Sequence, residues 1–179
     1  IPHTERIIQM TLKGSVKINL INIYIPQAER PEDEKEAVYN KLETITNKTI
    51  GKGPTYIMGD WNARMKKAQN KEERKVMGNW TFGKENAKVH ELSEHVTWNR
   101  NRCIEFCLKY NLALTNTYFK KPIEKTVTYR KVGFTRIDEI NDKTHEQIDL
   151  IAVQHRWKNS ITNIESDIKA NLNSDHYPV

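Results

Sequence analysis

The sequence predicts an α/β domain, with sheet and helix layered around one core and the sheet mixed rather than uniformly parallel. Three observations lead there. Strand-like segments outnumber helical ones, two helix-patterned segments lie in the connections, and 179 residues suffice for one sizeable core but not two. With no internal repeat, low-complexity tract or linker to divide it, the chain reads as one domain over residues 1–179.

The elements follow in order. RIIQMTLKGSVKINLINIYIP reads as two strands joined at Lys13-Gly14-Ser15, with Val16, Ile18 and Leu20 alternating against polar neighbours before an apolar finish. Pro26 ends the second strand. ERPEDEKEAVYNKLETIT opens on Pro31 and three acidic residues, the chemistry of a helix start, and carries Val38, Leu42 and Ile45 at helical spacing. GKGP breaks that helix, and TYIM follows as a buried strand that delivers Gly59-Asp60-Trp61-Asn62 at its end.

Residues 64 to 98 lose periodicity and gain charge, which reads as a long surface excursion with little regular structure. Within it, MKKAQNKEERK carries both signs of charge and reads as a solvated loop or helix face. NRCIEFCLKYN restores helical spacing through Ile104, Cys107 and Leu108. LALTNTYF, TVTYRK, QIDLIAV and ITNIESDIKA then read as strands, and the chain closes on NSDHYPV.

Hydrophobic residues make up 37% and charged residues 29%, the balance of a globular chain whose apolar runs are too short to span a bilayer. The formal charge of +6 favours polyanionic partners such as nucleic acid. Cys103 and Cys107 lie four apart on one helical face and read as small core residues of a protein kept in a reducing compartment. A zinc reading that adds His90 and His95 matches no common structural spacing.

The polar groups at strand ends are Tyr24, Asp60, Asn62, Asp149 and the cluster Ser174-Asp175-His176. If these ends converge, they supply the parts of phosphodiester hydrolysis: a histidine oriented by a carboxylate, oxygen ligands for Mg2+, and donors for charge developing on phosphorus. Each has a plainer reading. An Asp after a strand serves as a turn residue or helix cap, Asp149 in an apolar run fits a structural ion pair, Tyr24 fits a core aromatic, and a single histidine needs no function.

The segments NIYIPQ, IMGDWNA, QIDLIAV and SDHYPV, in this order, resemble the successive signatures of the endonuclease/exonuclease/phosphatase superfamily, which includes apurinic/apyrimidinic endonucleases. NRCIEFCLKYNLALTNTYF, TVTYR and QIDLIAVQHRW are similar to the retrotransposon branch (LINE-type, craniofacial development protein 2-like) of its endonucleases. The likeness runs from about Arg6 to Val179. It implies a four-layer α/β sandwich of the DNase I-like kind, missing its first strands, because the family's Asn-bearing strand and the strand ending in its principal metal Glu have no counterpart ahead of Tyr24.

The resemblance also implies roles. Asp60 and Asn62 would orient and activate the attacking water and contact the scissile phosphate. His176 would sit beside that phosphate, paired with Asp149. Asp175 would belong to the shell of a Mg2+ ion, or Mn2+, with Ser174 bracing the turn. Tyr24 would hydrogen-bond the phosphate. Thr128 falls where the nuclease branch has a Thr before an aromatic, often Trp, here Tyr129. Arg130, Lys131 and Arg136 would contact phosphates and make binding salt-dependent.

The activity implied for the parent protein is Mg2+-dependent nicking of DNA. The implied setting has no membrane, a reverse transcriptase domain in the same polypeptide, and a nuclear or otherwise intracellular location. Two alternatives compete with it. One is a phosphatase of the same superfamily; the other is a nucleic-acid-binding module without catalysis, to which the missing metal Glu gives weight.

Overall fold

A computed structural model describes residues 1–83, 89, 92–135, 139–170 and 172–179. The two opening strands form as the alternation predicts: β2 (Ile7–Leu12) pairs antiparallel with β3 (Ile18–Tyr24), and a short β1 (Pro2–Thr4) adds an unforeseen edge. Asn19, Ile21 and Ile23 form the buried face of β3, while Ile18 and Leu20 are only half-buried and Val16 is exposed. The alternation through Val16, Ile18 and Leu20 thus marks the more open face.

Helix α1 (Glu32–Thr49) starts where Pro31 and Glu32, Asp33 and Glu34 predict, its negative charges facing the positive end of the helix dipole. It serves as the crossover that lets β3 pair parallel with β4 (Thr55–Asp60). The strand expected in TYIM therefore runs on through Gly59 to Asp60. Gly59 is obligatory there: its φ is +126°, and an added Cβ would lie 2.2 Å from the Ile23 carbonyl oxygen.

The long excursion carries more structure than its composition predicts. It holds a four-residue helix, α2 (Glu73–Val76), and the first turns of α3 (Glu94–Lys109), capped at Ser93, whose hydroxyl accepts from the Val96 amide. The helical spacing from Asn101 onward marks only the later part of α3, because its earlier turns bury Val96 and the amide of Asn99 rather than a regular apolar stripe. LALTNTYF is strand only over β5 (Leu112–Leu114), and a 3-10 turn, Thr115–Tyr118, follows. TVTYRK is strand only at β6 (Tyr129–Arg130), paired with β7 (His145–Glu146). β8 (Asp149–Gln154) forms as predicted, whereas ITNIESDIKA forms no strand, since its backbone meets no neighbouring ladder.

Among the described residues the main sheet runs β1-β2-β3-β4-β8-β5, with β3 and β4 parallel and every other pair antiparallel, the mixed sheet expected. Helices α1 and α3 lie together on one face. Tyr39, Phe106 and Trp61 meet there with ring centroids about 6 Å apart, beside the fully buried Cys103 and Cys107. The cysteines are core residues; His95 lies exposed, and His90 falls outside the described residues. Tyr129 and Glu146 of the β6–β7 ladder line a cleft with Tyr24 and Asp60 at the C-terminal ends of β3 and β4, where the polar strand ends meet.

Candidate active site

Sheet register brings three of the predicted residues into one row. Tyr24 is paired with Asp60 across the parallel β3–β4 ladder, and Asp60 with Asp149 across the antiparallel β4–β8 ladder. Directly opposed residues of this kind hold their Cβ atoms about 4.5–5.5 Å apart. The C-terminal segment then delivers His176 onto the row, its Nδ1 2.9 Å from Asp149 Oδ2. These residues line a cleft of about 580 Å³ that Asn22, Arg64, Tyr129 and Glu146 complete.

Trp61 decides how rigid this edge is. It is fully buried, and its indole N–H donates to the Leu150 carbonyl at 3.0 Å, locking the end of β4 to β8. Asn62 follows in the left-handed region at φ +46°, a conformation Asn tolerates. That turn points its backbone N–H at Asp60 Oδ1 (2.8 Å) and its side-chain amide at Asp60 Oδ2 (3.0 Å) and the Ile25 carbonyl (2.7 Å). The amide N–H groups of Asn62 are thus spent on holding Asp60 and the Ile25 carbonyl.

The electrostatics shift both titrating groups upward. Burial, then the neighbouring Asp149 carboxylate, push the Asp60 pKa up to about 7, against the opposing pull of the Asn62 amide and His176. His176 is raised above its ordinary value, first by the hydrogen bond to Asp149, with the charges of Asp149, Asp60 and Asp175 adding to it against partial desolvation. Asp60 is a carboxylate poised to take a proton near neutrality, and His176 an imidazole held toward its charged form.

Thr128 acts behind the site rather than in it. Its buried hydroxyl accepts from the backbone N–H groups of Ile148 and Asp149, each at 3.0 Å, and fixes the start of β8. Ser174 Oγ accepts from the His176 amide at 3.0 Å. Asp175 and Arg130 bind each other at 2.6 Å instead of lining the cleft, so the carboxylate expected to face a metal and the guanidinium expected to face phosphate are paired together. Lys131 is held by the Glu146 carboxylate and the Asp142 carbonyl, and Arg136 lies outside the described residues.

Several cleft residues, Asn22, Arg64, Tyr129 and Glu146 among them, were not singled out as site residues in the sequence. Arg64 pairs with the buried Glu146 at 2.6 Å, Tyr129 packs its ring 4.9 Å from the His176 imidazole, and Asn22 lies on the open face of β3. Only Arg64, just after the Asp60 turn, and Tyr129, in the place of a family aromatic, carried a signal. Asn22 and Glu146 owe their place to register.

Among the described residues no group of three or more His, Cys, Asp or Glu side chains forms a metal cage. The carboxylates of Asp60 and Asp149 nonetheless fit a Mg2+ ion, which takes one or two carboxylates and completes its shell with water and phosphate oxygens. The crowding that raises Asp60 is the kind a cation relieves.

No family model matches the chain. It is 26% identical over 173 residues to craniofacial development protein 2 of Bos taurus and 24% identical over 173 residues to that of Tragulus javanicus, covering 96% of this chain in both cases. The chain spans about a quarter of the length of these curated relatives, 26% of each. Among solved structures it resembles a 3′ phosphatase from Neisseria bound to a product DNA hairpin, with TM-score 0.67 and 16% identity over 98% of this chain and 63% of that one. The fold is DNase I-like. An AP endonuclease from Leishmania major superposes with TM-score 0.64 at 12% identity, over 96% of this chain and 52% of that one. An AP endonuclease from Archaeoglobus fulgidus does so with TM-score 0.58 at 17% identity, over 96% and 62%.

Proposed function

We propose that the chain carries the water-activating residues of a DNA nuclease that hydrolyses phosphodiester bonds. The observation that carries this reading is the row Asp60, Asp149 and His176 in one cleft, with Asp60 poised near pH 7 and His176 held toward imidazolium. Both shifts favour the protonated form, but Asp60 can still give up its proton near neutrality and serve as base while His176, held toward imidazolium, serves as charge stabiliser.

The step follows from the geometry. Asp60 takes a proton from a water molecule as the water oxygen bonds to phosphorus and the bond from phosphorus to the leaving sugar oxygen breaks; solvent protonates the leaving oxygen. His176, bound through Nδ1 to Asp149, presents Nε2 to a phosphoryl oxygen, and the Tyr24 hydroxyl donates to the same group. Asn62 holds Asp60 in place and Thr128 holds Asp149. Mg2+ or Mn2+ bound by Asp60 and Asp149 would supply neutralising charge to the phosphate oxygens.

The likeness of the sequence to retrotransposon endonucleases supports nicking of one DNA strand as the biological task, with a reverse transcriptase domain in the same polypeptide and a nuclear site of action. The 3′ phosphatase from Neisseria, bound to a product DNA hairpin, supports a second reading in which the same groups hydrolyse a terminal phosphomonoester on DNA.

Supercoiled plasmid and a hairpin carrying a 3′ phosphate, each incubated with the chain and Mg2+, test both. Nuclease activity yields open circles that fall roughly 10²-fold or more in Asp60→Asn and His176→Ala. Release of phosphate from the hairpin with intact plasmid selects the phosphatase. Binding of DNA with neither product, at every Mg2+ concentration, leaves the non-catalytic binding module.

A further inference from the structure

We infer that the chain holds a second nucleic-acid contact, a stacking site at Trp80 for an unpaired base of a strand leaving the cleft. This deepens the nuclease reading and rests on it for the direction of the strand. The residues come from the excursion that reads in sequence as a solvated loop.

Trp80 is an anchored aromatic with an open ring. Its backbone N–H donates to the Thr117 carbonyl at 3.0 Å, the Gly78 amide donates to Thr117 Oγ1 at 2.7 Å, and Met77 bridges to Leu114 at the edge of the sheet. Gly78 permits this contact, since a Cβ there would lie 2.3 Å from the Thr117 carbonyl oxygen. The segment is thus fixed to β5 while Trp80 remains 43% exposed. A large aromatic held rigid in water is a stacking platform already ordered before a base arrives.

Its surroundings carry the charge a phosphodiester strand needs. Trp80, Arg74 and Lys67 line one cavity of about 320 Å³, with no acidic side chain in its lining among the described residues. The Lys120 ammonium lies 5.2 Å from the ring centroid. Indole plus several cations, with the Asn79 amide beside them, suits a nucleotide better than an acidic peptide, which would leave the ring unused.

Continuity with the catalytic cleft sets the direction. Asn62 and Arg64 line the cleft, Arg64 and Lys66 line the adjoining cavity, and Lys67 lines the cavity at Trp80. Five residues from Asn62 to Lys67 reach at most about 18 Å when extended. A strand with one phosphodiester at His176 reaches Trp80 within a few nucleotides by following Lys66 and Lys67, while Arg64, held by Glu146, only borders the path. Duplex alone cannot stack on Trp80; a frayed or single-stranded flank can.

The test measures binding in EDTA, apart from cleavage. Fluorescence anisotropy compares a blunt duplex with one bearing a single-stranded overhang of roughly four nucleotides, for wild type, Trp80→Ala, Trp80→Phe and Arg74→Ala. Wild type is expected to favour the overhang, Trp80→Ala to lose about tenfold on the overhang and nothing on the blunt duplex, and Trp80→Phe to retain most of the affinity. Arg74→Ala is expected to weaken overhang binding and lower its salt slope by about one. Equal loss on both substrates, no loss in Trp80→Ala, or no binding by wild type overturns the stacking site. Trp80-dependent overhang binding without cleavage in Mg2+ removes the nuclease reading and leaves this site standing; His176-dependent cleavage with Trp80-independent binding does the reverse.

Discussion

His176 Nδ1 sits 2.9 Å from Asp149 Oδ2, joining the last segment of the chain to the first residue of β8. The contact fixes the imidazole so that its other nitrogen is left for the cleft, and it favours the charged ring. Replacing Asp149 by Asn keeps the shape and removes the charge. The expected result is a fall in nicking rate of about 10²-fold or more, with a high-pH limb of the rate profile that moves to lower pH, measured by single-turnover cleavage across pH.

Asp60 predicts the low-pH limb. As a base it must be ionised; without metal its pKa of about 7 lies far above an ordinary carboxylate, and a cation held by Asp60 and Asp149 would lower it, so the low-pH limb is expected to move to lower pH as Mg2+ is raised. The same shift has a stability consequence of fixed sign. A folded pKa above the unfolded one means that the folded state holds the proton more tightly, so stability is full below the ordinary carboxylate range and declines as pH rises toward 7. Asp60→Asn is therefore expected to raise Tm at pH 8 by roughly 3–6 °C and to leave it nearly unchanged at pH 4, as calorimetry at the two pH values would show.

Arg100 and Glu73 tie α3 to α2. The guanidinium is 1% exposed and grips both carboxylate oxygens, at 2.5 and 3.1 Å. Burial is the largest influence and would raise the Glu73 pKa, but the Arg100 hydrogen bond, the Gln69 backbone N–H and the Arg100 charge together outweigh it, and the pKa is lowered. Glu73→Ala leaves a buried cation unpaired and is expected to cost about 3–5 kcal/mol in urea unfolding. Because the folded pKa is depressed, the pair's contribution is present above the ordinary carboxylate range and lost as pH falls; equal destabilisation at pH 3 and pH 7 would contradict this.

Thr128 provides a test of positioning without contact. Thr128→Val keeps the volume but strands two N–H donors at the start of β8. A loss of about 1–3 kcal/mol in stability is expected, with kcat reduced and substrate affinity kept. A fall in affinity with kcat intact would place Thr128 on the substrate instead.

Gly59→Ala tests the register that aligns Tyr24 with Asp60. The added methyl meets the Ile23 carbonyl at 2.2 Å in a backbone conformation that L residues rarely adopt. Destabilisation of about 2 kcal/mol or more and near-complete loss of activity are expected from chemical denaturation and plasmid nicking.

The sequence by itself determined the strands β2, β3, β4 and β8, helix α1, and the residues Tyr24, Asp60, Asn62, Asp149 and His176. Period-two apolar runs, a Pro-and-acid helix start and polar residues at strand ends are local signals, and they survive folding because each is satisfied locally. Tertiary structure alone decided the rest. Arg130 and Asp175 stand as candidates in sequence because each bears a charge near the right segment, but two opposite charges brought together neutralise each other, and only the fold brought them together. Thr128 likewise became a brace for Asp149 because its neighbours across the turn are backbone donors. Asn22, Glu146 and Trp80 had no local signal at all; ladder register and the seating of residues 77–80 on the edge of β5 gave them their place. Pairing across a sheet joins residues far apart in the chain, so no window of sequence contains the information that fixes it.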